Sequence, residues 1–335
     1  MTEKGNIKNT KSPKKGIKMK KNNKQVITFI LILTMVLSGF SNVNAKNNDS
    51  QLYLSVIRKV DSRFLQDQII DMVSETELIT PWGEGLLVDF IQDEKVVAYA
   101  IFVDGLLLEF SESESPYSVL TKTSDEFLYY DFANYSVIDK VDTKRVFESC
   151  SKESLLKKND NSKGNWTDPE QVILSGVSPQ LQGTDNCIVA ALSNVIWYLK
   201  SHGYSALASG MTFTNVKTAV DALFPSYENN SVLTVANLYG SSHGNIHFSG
   251  GAIWSPSVAK VYTEINAGYP CMVGFAAGSV YSPTEGHMTM CYGYYYDGNS
   301  TWYVYLADGH SSNMVTRLWT SYNDCVIKLR IYWNI

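Results

Sequence analysis

Gln182-Gly183-Thr184-Asp185-Asn186-Cys187-Ile188-Val189-Ala190-Ala191-Leu192-Ser193-Asn194-Val195-Ile196-Trp197-Tyr198-Leu199-Lys200 is a polar turn that runs straight into an apolar helix. Thr184, Asp185 and Asn186 are all residues that cap a helix N-terminus. Ile188, Leu192, Val195, Ile196 and Leu199 recur at the spacing of one helical face. Gly203 stands where the helix should stop. Cys187 therefore falls in the first turn of a buried helix, off its apolar stripe. There the unpaired backbone N–H groups and the positive end of the macrodipole favour a thiolate, the nucleophilic form of cysteine.

A second stretch supplies what a nucleophilic cysteine needs. His287 opens the run His287-Met288-Thr289-Met290-Cys291-Tyr292-Gly293-Tyr294-Tyr295-Tyr296, and Asp297-Gly298 follows as a hairpin signal. Trp302 to Ala307 reads as the return strand, ending at Asp308. A two-residue loop pairs Tyr296 with Asn299, and the same register sets His287 opposite Asp308, with Cβ atoms about 5 Å apart. A carboxylate then stands where it can orient an imidazole. A four-residue loop would shift the register by two and place His310 opposite His287, which makes His310 the spare candidate for that role.

Cysteine at a helix N-terminus, histidine at a strand start and a carboxylate across the hairpin resemble the constellation of papain-like cysteine peptidases. An Asp as third member is similar to the C39-like branch, which includes bacteriocin-leader peptidases. The resemblance covers residues 166–335 and implies a papain-like α+β domain, with a helical half, an antiparallel sheet half and a cleft between them. It also implies roles. Cys187 is the nucleophile, His287 the general base and Asp308 the residue that holds the imidazole, while Gln182 shares the oxyanion hole with the Cys187 N–H. Gly183 to Asn186 are four residues where the family usually has five, so Gln180 is the alternative oxyanion donor.

The rest of the chain reads around this domain. Residues 1–25 are lysine-rich, Val26 to Phe40 is an apolar run too short for a membrane span, and Val43-Asn44-Ala45 is a small-residue cleavage signature. Residues 1–45 thus read as a secretory signal peptide, with Met19 a more usual start than Met1. The expected location is extracellular or cell-surface associated, without stable membrane insertion. Taking its nine lysines and one glutamate from the 28 basic and 33 acidic residues leaves 19 against 32, a formal net charge of −13. Such an acidic chain argues against nucleic acid and anionic membranes as partners.

Residues 46–151 read as a small α+β unit. A helix is expected over Gln51 to Val73, then strands over Gly85 to Gln92, Val96 to Val103 and Leu106 to Phe110, turned at Asp93-Glu94 and Asp104-Gly105. This half contains no histidine. Ahead of a peptidase-like domain it resembles a propeptide, with an independent binding module as the other reading. Residues 152–165 read as a charged linker open to cleavage.

Within 166–335, helices are expected over Thr214 to Phe224 and Ser257 to Ala267. Strands are expected over Pro270 to Ala276, Gly286 to Tyr296, Trp302 to Ala307 and Cys325 to Trp333. Gly240 to Gly251 reads as a glycine-rich surface loop carrying His243 and His247, not as a metal site. Five cysteines, an odd count in an exported chain, flag a free thiol. Cys271, Cys291 and Cys325 read as buried, with one bridge among them open. No Cys-x-x-Cys occurs, and neither metal nor other cofactor is expected.

The expected activity is hydrolysis of peptide bonds by a secreted, zymogen-type cysteine peptidase. Its partners would be a peptide or protein substrate and its own first half. Two alternatives stay open: an amidase or acyltransferase on cell-wall or small peptides, and an inactive papain-like binding protein.

Overall fold

A computed structural model describes residues 46–132, 135–140, 168–182, 186–224, 231–276, 286–320 and 322–332. The signal-peptide reading, the linker and Cys150 lie outside the described residues. The described elements are mixed α and β, as the sequence implies. In the first half, α1 (Lys46–Val60) precedes β1 (Met72–Thr80), β2 (Gly83–Gln92), β3 (Lys95–Val103), β4 (Leu106–Ser111), β5 (Glu126–Tyr130) and β6 (Tyr135–Asp139). In the second, β7 (Glu170–Ile173) leads to α2 (Cys187–Ser201), α3 (Phe213–Asp221), α4 (Ser231–Ser242), β8 (His247–Trp254) and α5 (Ala259–Asn266). Strands β9 (Cys271–Phe275), β10 (His287–Tyr296), β11 (Trp302–Ala307), β12 (Val315–Leu318) and β13 (Asn323–Tyr332) follow.

The two halves share one sheet. Its order is β6-β5-β1-β2-β3-β4-β12-β11-β10-β9-β13-β8, with β7 added on β10. The seam is the antiparallel pair β4–β12, in which Val315, Thr316 and Arg317 face Ser111, Phe110 and Glu109. The Tyr303 hydroxyl donates to the Leu107 carbonyl at 3.1 Å and that of Tyr305 to the Val60 carbonyl at 3.2 Å, tying the halves again behind the seam.

Alternation along the strands builds two cores. Met272, Met288, Met290, Tyr292, Ile327 and Leu329 point to one face and pack under α2, α3 and α4. Cys271, Val273, Phe275, Cys291, Val304 and Leu306 point to the other and join α5, α1 and the first-half meander.

Several expectations need correction. The first helix ends at Val60, and the stretch from Met72 is a strand paired with β2 along its whole length. Gly240 to Gly251 is not a loop: it holds the end of α4 and the start of β8, which pairs with β13. A Cβ on Gly250 would lie 2.0 Å from the Lys328 carbonyl oxygen, so glycine there permits the strands to meet. Cys187, Cys271, Cys291 and Cys325 are all free thiols.

Candidate functional site

Cys187, the candidate nucleophile, stands at the start of a capped helix. Asn186 takes an extended conformation before α2, and its side chain accepts the Ile188 N–H at 2.8 Å. Cys187 is then the first helical residue, half-buried at the edge of the helix-side core. His202 caps the far end, and Gly203 follows at φ +100°. The thiolate expectation does not hold: burial pushes the Cys187 thiol above its usual pKa. The amides of Met288, Ile188 and Cys187 itself point at the sulfur and act the other way, but burial outweighs them.

His287 opens β10 and is 6% exposed. Its Nε2 lies 2.8 Å from the carbonyl oxygen of Asp308. A carbonyl only accepts, so Nε2 carries the proton and Nδ1 keeps the lone pair in the neutral ring. Burial, and then the charges of His310 and Arg317, hold the imidazole well below the usual histidine pKa. The sulfur of Cys187 thus lies against the amide of the residue after the histidine. No hydrogen bond joins that sulfur to the His287 ring among the described residues. The ring belongs to the opposite face: His287 is the register partner of Phe275, and its ring centroid is 4.8 Å from that of His310.

The hairpin register differs from expectation. Tyr296 pairs with Trp302, not Asn299, because five residues, 297–301, form the loop. Asp297 Oδ1 organises that loop by accepting the Asn299 and Thr301 amides at 2.6 and 2.9 Å. A bulge between Cys291 and Gly293 then moves the register by one. His310, not Asp308, therefore approaches the His287 ring. Asp308 still touches His287, but through its backbone. Its carboxylate accepts the amides of His310 at 3.0 Å and Ser311 at 3.3 Å, and pairs with Arg317 Nη2 at 2.9 Å.

Gln182 is brought to the same place. Its N–H donates to the Gly309 carbonyl at 2.8 Å, and its own carbonyl accepts Lys217 Nζ at 2.7 Å. Gly309 sits at φ +84°, where a Cβ would come 2.8 Å from the Gln182 Cβ, so the glutamine lies flat on a glycine of the Asp308 loop. Gln180 turns away, its amide donating to Ser178. Asn194 clamps this segment. Buried in α2, it accepts the Gln180 N–H at 3.1 Å and donates to the Ala190 carbonyl at 3.0 Å. Its only trace in the sequence is one amide inside an apolar helix.

Arg317 and Glu109 are the residues next to the candidate site that the sequence does not disclose. Both are fully buried, and Arg317 Nε pairs with Glu109 Oε2 across the seam. His243 and His247 take different neighbours, Tyr239 and Tyr332. No family model, curated protein or solved structure matches the chain.

Proposed function

We propose that the chain is the precursor of a secreted cysteine peptidase of papain-like, C39-like type, in which Cys187 attacks the scissile carbonyl and His287 transfers the proton. The observation that carries this reading is the placing of Cys187. It is the first residue of a capped, buried helix, with its sulfur at the Met288 amide, one peptide from a histidine whose Nδ1 is free of protons. Gln182, lying on Gly309, and the Cys187 N–H would receive the oxyanion. Asp308 would hold the imidazole through its carbonyl, and no cofactor enters the reaction. Thiol and imidazole share no hydrogen bond among the described residues, and this lack of contact, with the raised thiol pKa, suits a chain that is silent until its first half is removed. That half would be the propeptide, and a peptide or protein the substrate.

The same lack of contact favours one other reading, an inactive binding protein that keeps the fold. A peptide-library digest decides between them. The 166–335 chain should cleave peptides, and Cys187→Ala should abolish turnover with an unchanged melting curve, since this side chain is off the apolar stripe. No cleavage by a folded 166–335 chain would favour the binding protein.

A further inference from the structure

The ion pairs at the seam connect the first half to the histidine. Glu109 is wrapped by hydroxyls of its own half: Tyr99 donates to Oε1 at 2.6 Å, Tyr130 to Oε2 at 2.8 Å, and Tyr135 to Oε1 as well. The cation set into this nest among the described residues is Arg317, which comes from the second half. Its guanidinium also reaches the Tyr135 hydroxyl at 2.6 Å, lies over the rings of Tyr135 and Phe275, and holds Asp308 Oδ2. Asp308 anchors the turn 308–311 by its carboxylate, while its carbonyl receives His287 Nε2. The first half grips the same loop twice more. Ser111 Oγ donates to the Met314 carbonyl at 2.8 Å, and Asn313 Nδ2 donates to the Glu112 carbonyl. Tyr135 also packs edge-on against His310, at 5.2 Å between centroids.

Two buried carboxylates share one buried guanidinium, and this is a poor way to gain stability. An apolar cluster of the same volume would serve as well or better, so such triads are best understood through what they position. We infer that Glu109 is the residue by which the first half controls His287. It holds Arg317, Arg317 holds Asp308, and the Asp308 carbonyl fixes where the imidazole sits. Arg317 and Glu109 are then positioning residues. Removing the first half takes away Glu109 and its three tyrosines together and leaves the 308–314 loop free to adjust. This rests on the reading of Cys187 and His287 as nucleophile and base.

The test uses the 46–335 chain and the rate at which iodoacetamide alkylates Cys187, followed peptide by peptide. Glu109→Gln should accelerate Cys187 alkylation by about tenfold or more, since it takes away the anion that holds the buried Arg317 guanidinium. Glu109→Asp, which keeps the charge but shortens the reach to Arg317, should give a smaller acceleration, again at Cys187. Cys271, Cys291 and Cys325 are fully buried and serve as the internal control. Acceleration confined to Cys187 supports the inference. A wild-type rate at Cys187, with the other three protected, overturns it. Should Glu109→Gln expose Cys271, Cys291 and Cys325 together with Cys187, Glu109→Asp decides: a moderate acceleration at Cys187 with those three protected supports the coupling, and none overturns it. A chain that responds in this way but cleaves no peptide once its first half is gone keeps the coupling and loses the peptidase reading. Peptide cleavage without any response to Glu109 does the reverse.

Discussion

His287 is held neutral in the folded chain chiefly by burial, with His310 and the Arg317 guanidinium also opposing its protonation. In the unfolded chain it titrates near 6.5, so on acidification the unfolded state takes the proton first. The stability contributed by this group is complete above about pH 6.5 and is lost as the pH falls toward the folded-state value, at up to about 1.4 kcal/mol per pH unit. Urea midpoints between pH 7 and pH 5 should fall steeply for the wild-type chain and less steeply for His287→Gln. Parallel slopes would contradict the assignment. Asp89 shows the opposite sign. Burial raises its carboxyl to about 6, and among the described residues its Oδ1 has no hydrogen-bond partner. Its folded pKa lies above the unfolded one, so the penalty grows as the pH rises through 6. Asp89→Asn should raise Tm at pH 7.5 and leave it unchanged below pH 4.

Among the elements, the 308–311 turn joins Gln182 to His287, and glycine makes that junction possible. Gly309 and Gly268 have almost the same backbone, φ +84° and +82°, but a Cβ meets Gln182 at 2.8 Å in the first case and nothing within 4 Å in the second. Both alanine variants should lose about 1–2 kcal/mol to the left-handed backbone. Gly309→Ala alone should lower turnover in the 166–335 chain, and equal turnover in the two would detach Gln182 from the site. This turn also marks where the sequence stops being legible. Helix α2, its Asn186 cap and the strand Trp302–Ala307 follow from local pattern, because capping and alternation act between near neighbours. The register that joins them does not. Asp297-Gly298 signals a tight turn, yet Asp297 folds a five-residue loop through its own carboxylate, and a bulge adds a further step. Gly250 looked like a loop residue because a missing side chain does not say whether it frees the backbone or admits a neighbouring strand. Val315 to Leu318 carry a buried arginine whose partner lies 208 positions away, and no window of the chain contains both.

At the scale of the molecule, a meander and a helix-covered sheet read as two domains, and they are continuous through β4 and β12. A propeptide joined in this way would leave an open sheet edge and an uncovered Arg317 when it departs. Cleavage in the charged stretch 152–163 should therefore yield an active species of about 170 residues only once the first half is stripped away; nicking alone should change little. Size-exclusion chromatography of the nicked protein, assayed before and after mild denaturant removes the first half, checks this, and full activity on nicking alone would count against it. The central claim is that Cys187 is a nucleophile served by His287. It is tested most directly by intact-mass analysis of the 166–335 chain after reaction with an epoxide-type thiol inhibitor, beside its His287→Ala variant. The account predicts a single adduct, mapped to Cys187, that forms readily in the wild type and is nearly abolished in the variant. An adduct that forms equally fast without His287, or none at all on the folded chain, would contradict it.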